Sequence, residues 1–185
     1  MKVSQLIFAI LGSILLIACG GEKTPASQPS NSASSTTKTY KPTIKTSLSM
    51  VFPEVKVKKG EKACMTVKVK DFEKIVSLQH SVNWDTKVLK LDDVSNFKLK
   101  GMSKGSFGLS YLEKGAYGVS WYDPNVKGIS VADDAPIYDV CFTAIGEAGT
   151  FSDIRVTSDP VKIEVSNAAE KILGMPTGKG RVIIE

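Results

Sequence analysis

The sequence predicts an all-β domain built as a two-sheet β-sandwich, of the Greek-key or jelly-roll kind. Nine short stretches alternate apolar and polar residues with a period of two, and glycine-, proline- or asparagine-containing turns separate them. No stretch keeps a helical period for three turns. The nine predicted strands are 47–52, 64–71, 75–85, 88–97, 106–112, 117–123, 136–145, 161–168 and 181–185.

The first eighteen residues are predicted to be an export signal rather than part of the fold. Lys2 precedes a short apolar run that ends in Leu16, Ala18 and Cys19. This ending resembles a bacterial lipobox, which implies cleavage before Cys19 and attachment of lipid to that cysteine. Gly20 follows where an aspartate would imply retention in the inner membrane, so the resemblance implies the outer membrane in an organism that has one. The alternative is an ordinary signal peptide cut nearby.

Residues 19–46 are predicted to be a lipidated cysteine followed by a flexible tether. Serine, threonine and proline make up 14 of the 23 residues at 24–46, and no apolar periodicity interrupts them. The folded domain is therefore predicted at 47–185. Of the 24 basic and 19 acidic side chains, five and one precede residue 47. The remaining 19 and 18 nearly cancel, so the charge gives no indication of nucleic-acid binding.

Two cysteines remain in the predicted domain, and each lies on the polar side of an alternating stretch. Cys64 faces away from the apolar row of its strand, and Cys141 does the same in 136–145. Outward cysteines of an exported protein favour a cross-strand disulfide; two unpaired buried thiols are the alternative. The CxxC and CxxxH spacings of zinc sites are absent from the sequence.

The chain has one histidine, His80, and it stands in the apolar row of its strand between Leu78 and Val82. We expect a buried, neutral imidazole with one hydrogen-bond partner. A catalytic base would need a nucleophile on its own face, and a haem or metal pair would need a second histidine. The sequence therefore predicts no enzyme, no metal and no cofactor.

Acidic residues at three places in the sequence invite comparison with calcium sites. They are the pairs Asp92-Asp93 and Asp133-Asp134, and the loop 123–128 (DPNVKG). The loop lacks the ligand order and closing glutamate of an EF-hand. We expect turn residues, with calcium in a loop as the open alternative.

The stretch from Phe72 to Leu99 resembles the early strand pair of the cohesin family, in which an aromatic residue, Asp and a short turn lead to Val-Leu. Here these residues are Trp84, Asp85, Val88 and Leu89. The later stretches 119–146 and 161–168 are also similar to cohesin-like modules, so the resemblance spans 47–185. It implies a nine-stranded jelly roll in which the second and seventh strands are neighbours. That arrangement places Cys64 beside Cys141, and relatives tend to carry an aromatic residue at the position of His80.

The resemblance also implies a protein-binding face on the sheet formed by the third, fifth, sixth and eighth strands. In this sequence those strands are 75–84, 106–112, 116–122 and 161–166. Alternation directs Ser81 and Gly118 outward on this face, together with the residues predicted to contact a partner. The predicted contact residues are Ser77, Gln79, Asn83, Ser110, Leu112, Ser120, Tyr122, Lys162 and Glu164.

The leading functional hypothesis is a non-catalytic, lipid-anchored module of the bacterial cell envelope that docks a dockerin-like or other surface protein. The family's dockerin-contacting Asn and Asp fall at Ser77 and Gln79, so those side chains differ here. A plain solvated sheet is the alternative for the face itself. The alternative function is polysaccharide binding, which favours a row of exposed aromatic rings. Tyr122 is the single ring among the outward positions, because Trp84 and Trp121 fall on inward faces.

Overall fold

This computed structural model describes residues 46–176 and 178–185. These residues contain twelve β-strands and two one-turn 3₁₀ helices, joined by turns and loops. The helices are Lys104–Ser106 and Leu112–Lys114. The strands are β1 (Ser49–Val51), β2 (Glu54–Val57), β3 (Lys62–Lys70), β4 (Ile75–Asn83), β5 (Leu89–Ser95), β6 (Phe107–Gly108), β7 (Ala116–Tyr122), β8 (Ala135–Ala144), β9 (Phe151–Thr157), β10 (Glu164–Asn167), β11 (Ile172–Leu173) and β12 (Lys179–Ile184).

The strands form two sheets, which confirms the predicted all-β sandwich. The smaller sheet has the order β1-β3-β8-β5. The larger sheet has eight strands and branches at β4. On one edge of β4 lie β7 and then β6. Part of the other edge of β4 pairs with β10, which is followed by β11, and the rest pairs with β9, which is followed by β12 and β2. Three of these strands were not predicted: β2, β9 and β11. The count is therefore twelve in the described residues rather than nine, and the jelly-roll connectivity stays a prediction.

Strand β4 organises the larger sheet, because its two edges are used differently. Along one edge β4 pairs with β7 from residue 77 to residue 83. The other edge is divided: β10 pairs with residues 75–79, and β9 pairs with residues 81–83. The chain from β9 to β10, residues 158–163, folds over the outward face of the sheet at this point, because Val161 bonds to Ser81 of β4 and lies against Gly118 of β7. We call residues 158–163 the crossing segment.

Alternating side chains from both sheets fill the space between them. Strand β3 shows the pattern strictly, with Ala63, Met65, Val67 and Val69 buried and their neighbours more exposed. The three larger side chains, Met65, Val67 and Val69, each contribute about 1.5–3 kcal/mol when fully buried. A polar pair lies inside this core: the hydroxyls of the buried Tyr117 and Tyr138 are 3.2 Å apart, and one donates a hydrogen bond to the other. The phenol pKa values of both are raised, chiefly by burial.

The predicted disulfide is present. Cys64 and Cys141 lie directly opposite each other in the antiparallel pair of β3 and β8, with their Cα atoms 4.0 Å apart. Both side chains are on the outward face of the smaller sheet, as their strand positions predicted. The bond joins the two central strands of that sheet.

The predicted signal (1–18), Cys19 and the tether up to residue 45 lie outside the described residues. Neither 3₁₀ helix of the described part, nor any other helix there, is long and apolar enough to cross a membrane.

Replacing both Cys64 and Cys141 by serine should lower the free energy of unfolding by about 4 kcal/mol. The two residues are 77 apart in sequence, and the chain-entropy model gives about that value for a loop of this length. Urea unfolding of the oxidised protein and the double variant measures the difference. Equal midpoints would show that the bond adds no stability, and reducing the wild-type protein should reproduce the variant's curve.

Candidate docking face

The outward face of β7, β4, β10 and β11 carries a row of side chains that runs across the strands. Register pairs Tyr122 with Ser77, Ser77 with Ser166, and Ser166 with Ile172. The hydroxyls of Ser77 and Ser166 are 2.8 Å apart and hydrogen-bonded. The row therefore has a large apolar group at each end and two small hydroxyls between them.

A second outward row lies two residues along the strands. It contains Ser120, Gln79 and Glu164, one residue from each of β7, β4 and β10. The Gln79 side-chain amide donates a hydrogen bond of 3.0 Å to the Glu164 carboxylate. Lys162, just before β10, is exposed. The structure thus brings together six of the predicted contact residues: Ser77, Gln79, Ser120, Tyr122, Lys162 and Glu164.

The crossing segment covers the next outward positions, so Ser81 and Gly118 are buried rather than exposed as predicted. The Ser81 hydroxyl accepts a 2.7 Å hydrogen bond from the Val161 N–H and donates one of 3.2 Å to the Val161 carbonyl. A Cβ atom on Gly118 would lie 2.7 Å from Val161 Cγ2, so only glycine leaves enough space there. Alternation correctly gave the direction of both residues but carried no information about what lies above them.

Asn83 is half-buried on the far side of the crossing segment. Its side-chain oxygen accepts a hydrogen bond from the hydroxyl of Thr157, the last residue of β9. Asn83 therefore links β4 to β9 and is separated from the two open rows by Val161.

The prediction of one outward strand at 106–112 was wrong. Strand β6 ends at Gly108, because the chain must reverse within a few residues to enter β7. Ser110 is exposed in the turn that follows, beyond the paired residues. Leu112 begins the 3₁₀ helix Leu112–Lys114, which ends at Gly115 in the left-handed region (φ 68°).

Leu112 consequently lies away from the predicted face. It is half-buried and lines an apolar cleft of about 310 Å³ at the end of the sandwich, together with Trp84, Leu91 and Ile145. Its predicted role beside Tyr122 is not supported by this placement.

Sequence reasoning missed two exposed apolar residues: Ile172 at the end of the first row, and Val126 beside that row. Tyr122, Val126 and Ile172 are 68%, 68% and 76% exposed, the three highest values among large hydrophobic residues of the described chain. Ile172 lies on the two-residue strand β11, which is too short to give a periodic signal. Val126 lies near Val76 and Ser166, where these residues border a shallow cleft.

His80 is in the core, as predicted. It is fully buried opposite Val119 of β7. The prediction that its imidazole has one hydrogen-bond partner is wrong, because neither ring nitrogen has a partner among residues 46–176 and 178–185. Burial lowers the pKa of His80 from 6.5 to about 4, because an unpaired imidazolium is unfavourable inside the core.

The loop at 123–128 uses its aspartate to form the turn. Asp123 is buried, and its carboxylate accepts hydrogen bonds from the backbone N–H groups of Asn125, Lys127 and Gly128. Those bonds, with Asn125 first, lower the pKa of Asp123. No cluster of three or more His, Cys, Asp or Glu side chains able to hold a metal ion occurs in the described part of the chain.

Comparison with known proteins shows the family to which the chain is similar. The sequence profile of the cohesin domain matches residues 48–175, well over half of the chain. No curated protein matches the sequence.

Solved structures with similar folds include three cohesins. A Clostridium thermocellum cohesin, solved in a type I cohesin–dockerin complex, is 14% identical, with a TM-score of 0.58 over 74% of this chain and 99% of that one. The solution structure of CaCohA2 from Clostridium acetobutylicum gives 16% identity and a TM-score of 0.58, covering 76% and 92%. A non-cellulosomal cohesin from the archaeon Archaeoglobus fulgidus gives 19% and 0.56, covering 74% and 91%.

The buried histidine should make stability depend on pH between about 6.5 and 4. In this window the unfolded chain binds a proton at His80 and the folded chain does not, so the free energy of unfolding falls as the pH is lowered. The total loss should be about 3 kcal/mol, at about 1.4 kcal/mol per pH unit.

Urea unfolding of the wild type and of His80→Phe at several pH values measures this contribution. The pKa of Asp153 is lowered to about 2, chiefly by the hydrogen bond from the Arg181 side chain. Its contribution to the free energy of unfolding is therefore lost at pH values below the ordinary aspartate pKa, outside the window of His80. The variant should lose most of the slope between pH 6.5 and 4. Parallel curves for the two proteins would show that His80 does not titrate as its burial requires.

Proposed function

Because the chain belongs to the cohesin domain family, we propose that it is a non-catalytic module that docks a protein partner. The docking face is the outward side of β7, β4, β10 and β11, with β6 at its edge. Similar cohesins from Clostridium thermocellum and Acetivibrio cellulolyticus were solved in complex with dockerins, which supports a dockerin-like partner. The strand neighbours implied by the family resemblance are those of the structure, since β6, β7, β4 and β10 are adjacent in that order.

The observation that carries the proposal is the row from Tyr122 to Ile172. Its ends are three strand spacings apart, or roughly 14 Å. Ser77 and Ser166 leave the middle of the row low and flat. A helix lying across the strands fits this shape, because apolar residues seven or eleven positions apart lie on one side of a helix, about 10–17 Å from each other.

The same face does not favour the alternative of polysaccharide binding. Tyr122 is the one aromatic ring in its two open rows, whereas Trp84 and Trp121 are buried as predicted. His80 does not support a catalytic function either. It is enclosed in the core, so its imidazole cannot act as a general base on a ligand at the surface.

We also propose that the module is anchored in the bacterial cell envelope through lipid on Cys19, with residues 1–18 as its signal and 19–46 as its tether. The support is the lipobox-like sequence before Cys19. The Cys64–Cys141 disulfide agrees with an oxidising compartment. In an organism with two membranes, Gly20 favours the outer one.

Replacing both Tyr122 and Ile172 by serine should weaken partner binding at least about tenfold. Fully burying a large apolar side chain contributes about 1.5–3 kcal/mol, and 1.4 kcal/mol corresponds to a factor of ten. The partner is captured from envelope extract with the full chain as bait, and each variant is then titrated against it. Ile145→Ser is the matched control, since Ile145 is an exposed apolar residue at the Leu112 cleft.

The control should bind normally, and all variants should keep the wild-type melting temperature within a few degrees. Normal binding by the double variant, or an equal loss in Ile145→Ser, would place the docking surface elsewhere.

Cys19→Ala should release the protein from the membrane fraction or leave the signal uncleaved. Fractionation and mass spectrometry of the N-terminus measure both outcomes. A correctly cleaved variant that stays in the membrane would disprove the lipid anchor and leave the docking proposal intact.

A further inference from the structure

A second surface lies on the other half of the larger sheet, beyond the crossing segment. Strands β9, β12 and β2 meet there around a cleft of about 320 Å³. The cleft is lined by Phe52, Glu54, Asp153, Lys179, Gly180 and Arg181. Val161 separates it from the docking face, so the two surfaces are distinct.

Arg181 is held in place on two sides of its guanidinium group. Its Nε donates a 2.7 Å hydrogen bond to Oδ1 of Asp153, whose side chain is only 12% exposed. The guanidinium also lies over the Phe151 ring, 4.3 Å from the ring centroid. Because only Nε is used in the bond to Asp153, the two Nη groups can still donate a pair of hydrogen bonds to one carboxylate, the bidentate geometry that arginine favours.

The charges around the cleft favour an anion. Arg155 and Lys179 lie directly opposite each other in the antiparallel pair of β9 and β12, an arrangement that is unfavourable for like charges. Asp153 bonds to two arginines: its Oδ2 accepts a 2.5 Å hydrogen bond from Arg155, and its Oδ1 accepts the bond from Arg181. With Glu54 of β2, two carboxylates face three cations around the cleft, which leaves one positive charge for a bound carboxylate.

The remaining walls indicate which anion fits. Glu54 lies opposite Arg181 in the parallel pair of β12 and β2. Its carboxylate accepts hydrogen bonds from hydroxyls but repels a second carboxylate. Phe151 is 51% exposed and lies beside the cleft, outside its lining, with one face of its ring covered by Arg181. The volume is at the lower end of small-ligand sites, about 300–1,000 Å³, and a concave site of that size suits one or two sugar rings better than a protein surface.

We propose that this cleft binds a uronic acid unit of an acidic polysaccharide. The sugar carboxylate pairs with Arg181 and Lys179, and a ring hydroxyl donates a hydrogen bond to Glu54. An acidic peptide fits less well, because it brings carboxylates close to Glu54 without hydroxyls to satisfy it. The proposal is independent of protein docking, since it uses none of the residues of the docking face.

The test is calorimetric titration of the full chain with tetragalacturonate, with a neutral galactose tetrasaccharide and with tetraglutamate, all at the same ionic strength. We expect tetragalacturonate to bind about tenfold more tightly than either comparison ligand. Lys179→Gln should weaken that binding about tenfold, because Lys179 contacts the ligand and is not needed for the Asp153 bonds. Lys68→Gln removes an exposed lysine from the outward face of the smaller sheet and should have no effect.

Three results would overturn the proposal: no binding of tetragalacturonate, equal or tighter binding of tetraglutamate, or an equal loss in Lys68→Gln. The second would assign the cleft to acidic peptides, and the third would show a general charge effect. The Tyr122→Ser/Ile172→Ser variant should bind tetragalacturonate normally, which separates failure of this site from failure of the docking face.

Discussion

The contact of Val161 with Ser81 and Gly118 determines how the larger sheet is used. Strands β9 and β10 lie one after the other along the same edge of β4, and the chain between them folds over the outward face of the sheet. The Ser81 hydroxyl satisfies both backbone groups of Val161, and Gly118 leaves space for its side chain. Ser81 is fully buried, so without this contact its hydroxyl would lack a partner, at a cost of about 1–3 kcal/mol. A small hydroxyl at position 81 and a glycine at position 118 therefore favour this path of the chain.

The crossing divides one outward surface into two parts with different chemistry. On one side the rows of β7, β4, β10 and β11 are flat, small and nearly uncharged, with apolar groups at their ends. On the other side β9, β12 and β2 carry charged side chains around a concave site. A flat surface with a few apolar anchors suits a protein, and a concave polar one suits a small ligand. The two proposals follow from this difference in shape.

The parts of the fold that the sequence predicts well are those in which alternation is regular. Strand β3 alternates over all nine residues and β8 from Tyr138 to Ala144, which was enough to give the outward direction of Cys64 and Cys141. The family resemblance implied that the two strands are neighbours, and the structure pairs the two cysteines directly. The inward direction of Trp84 and Trp121 also followed from alternation alone. Strand β9 was missed because its inward row begins with Ser152, although Ile154 and Val156 then alternate with Asp153 and Arg155.

The docking face was predicted less completely, for physical reasons that alternation does not contain. Leu112 was assigned to a strand, but the reversal into β7 requires a turn there. Ser81 was assigned correctly to the outward side, yet a distant segment covers it. Ile172 was overlooked because a two-residue strand has no period. The error at Ser81 arises from residues far away in the sequence, whereas those at Leu112 and Ile172 arise from local elements too short to show a period.

The central claim is that the partner lies on the Tyr122–Ile172 side of the crossing segment. Hydrogen exchange of the full chain, with and without its captured partner, tests this most directly. The account predicts slower exchange in β7, β4, β10 and β11 when the partner is bound, and unchanged exchange in β5, β8, β9 and β12. Protection confined to the smaller sheet, or to β9 and β12, would contradict it.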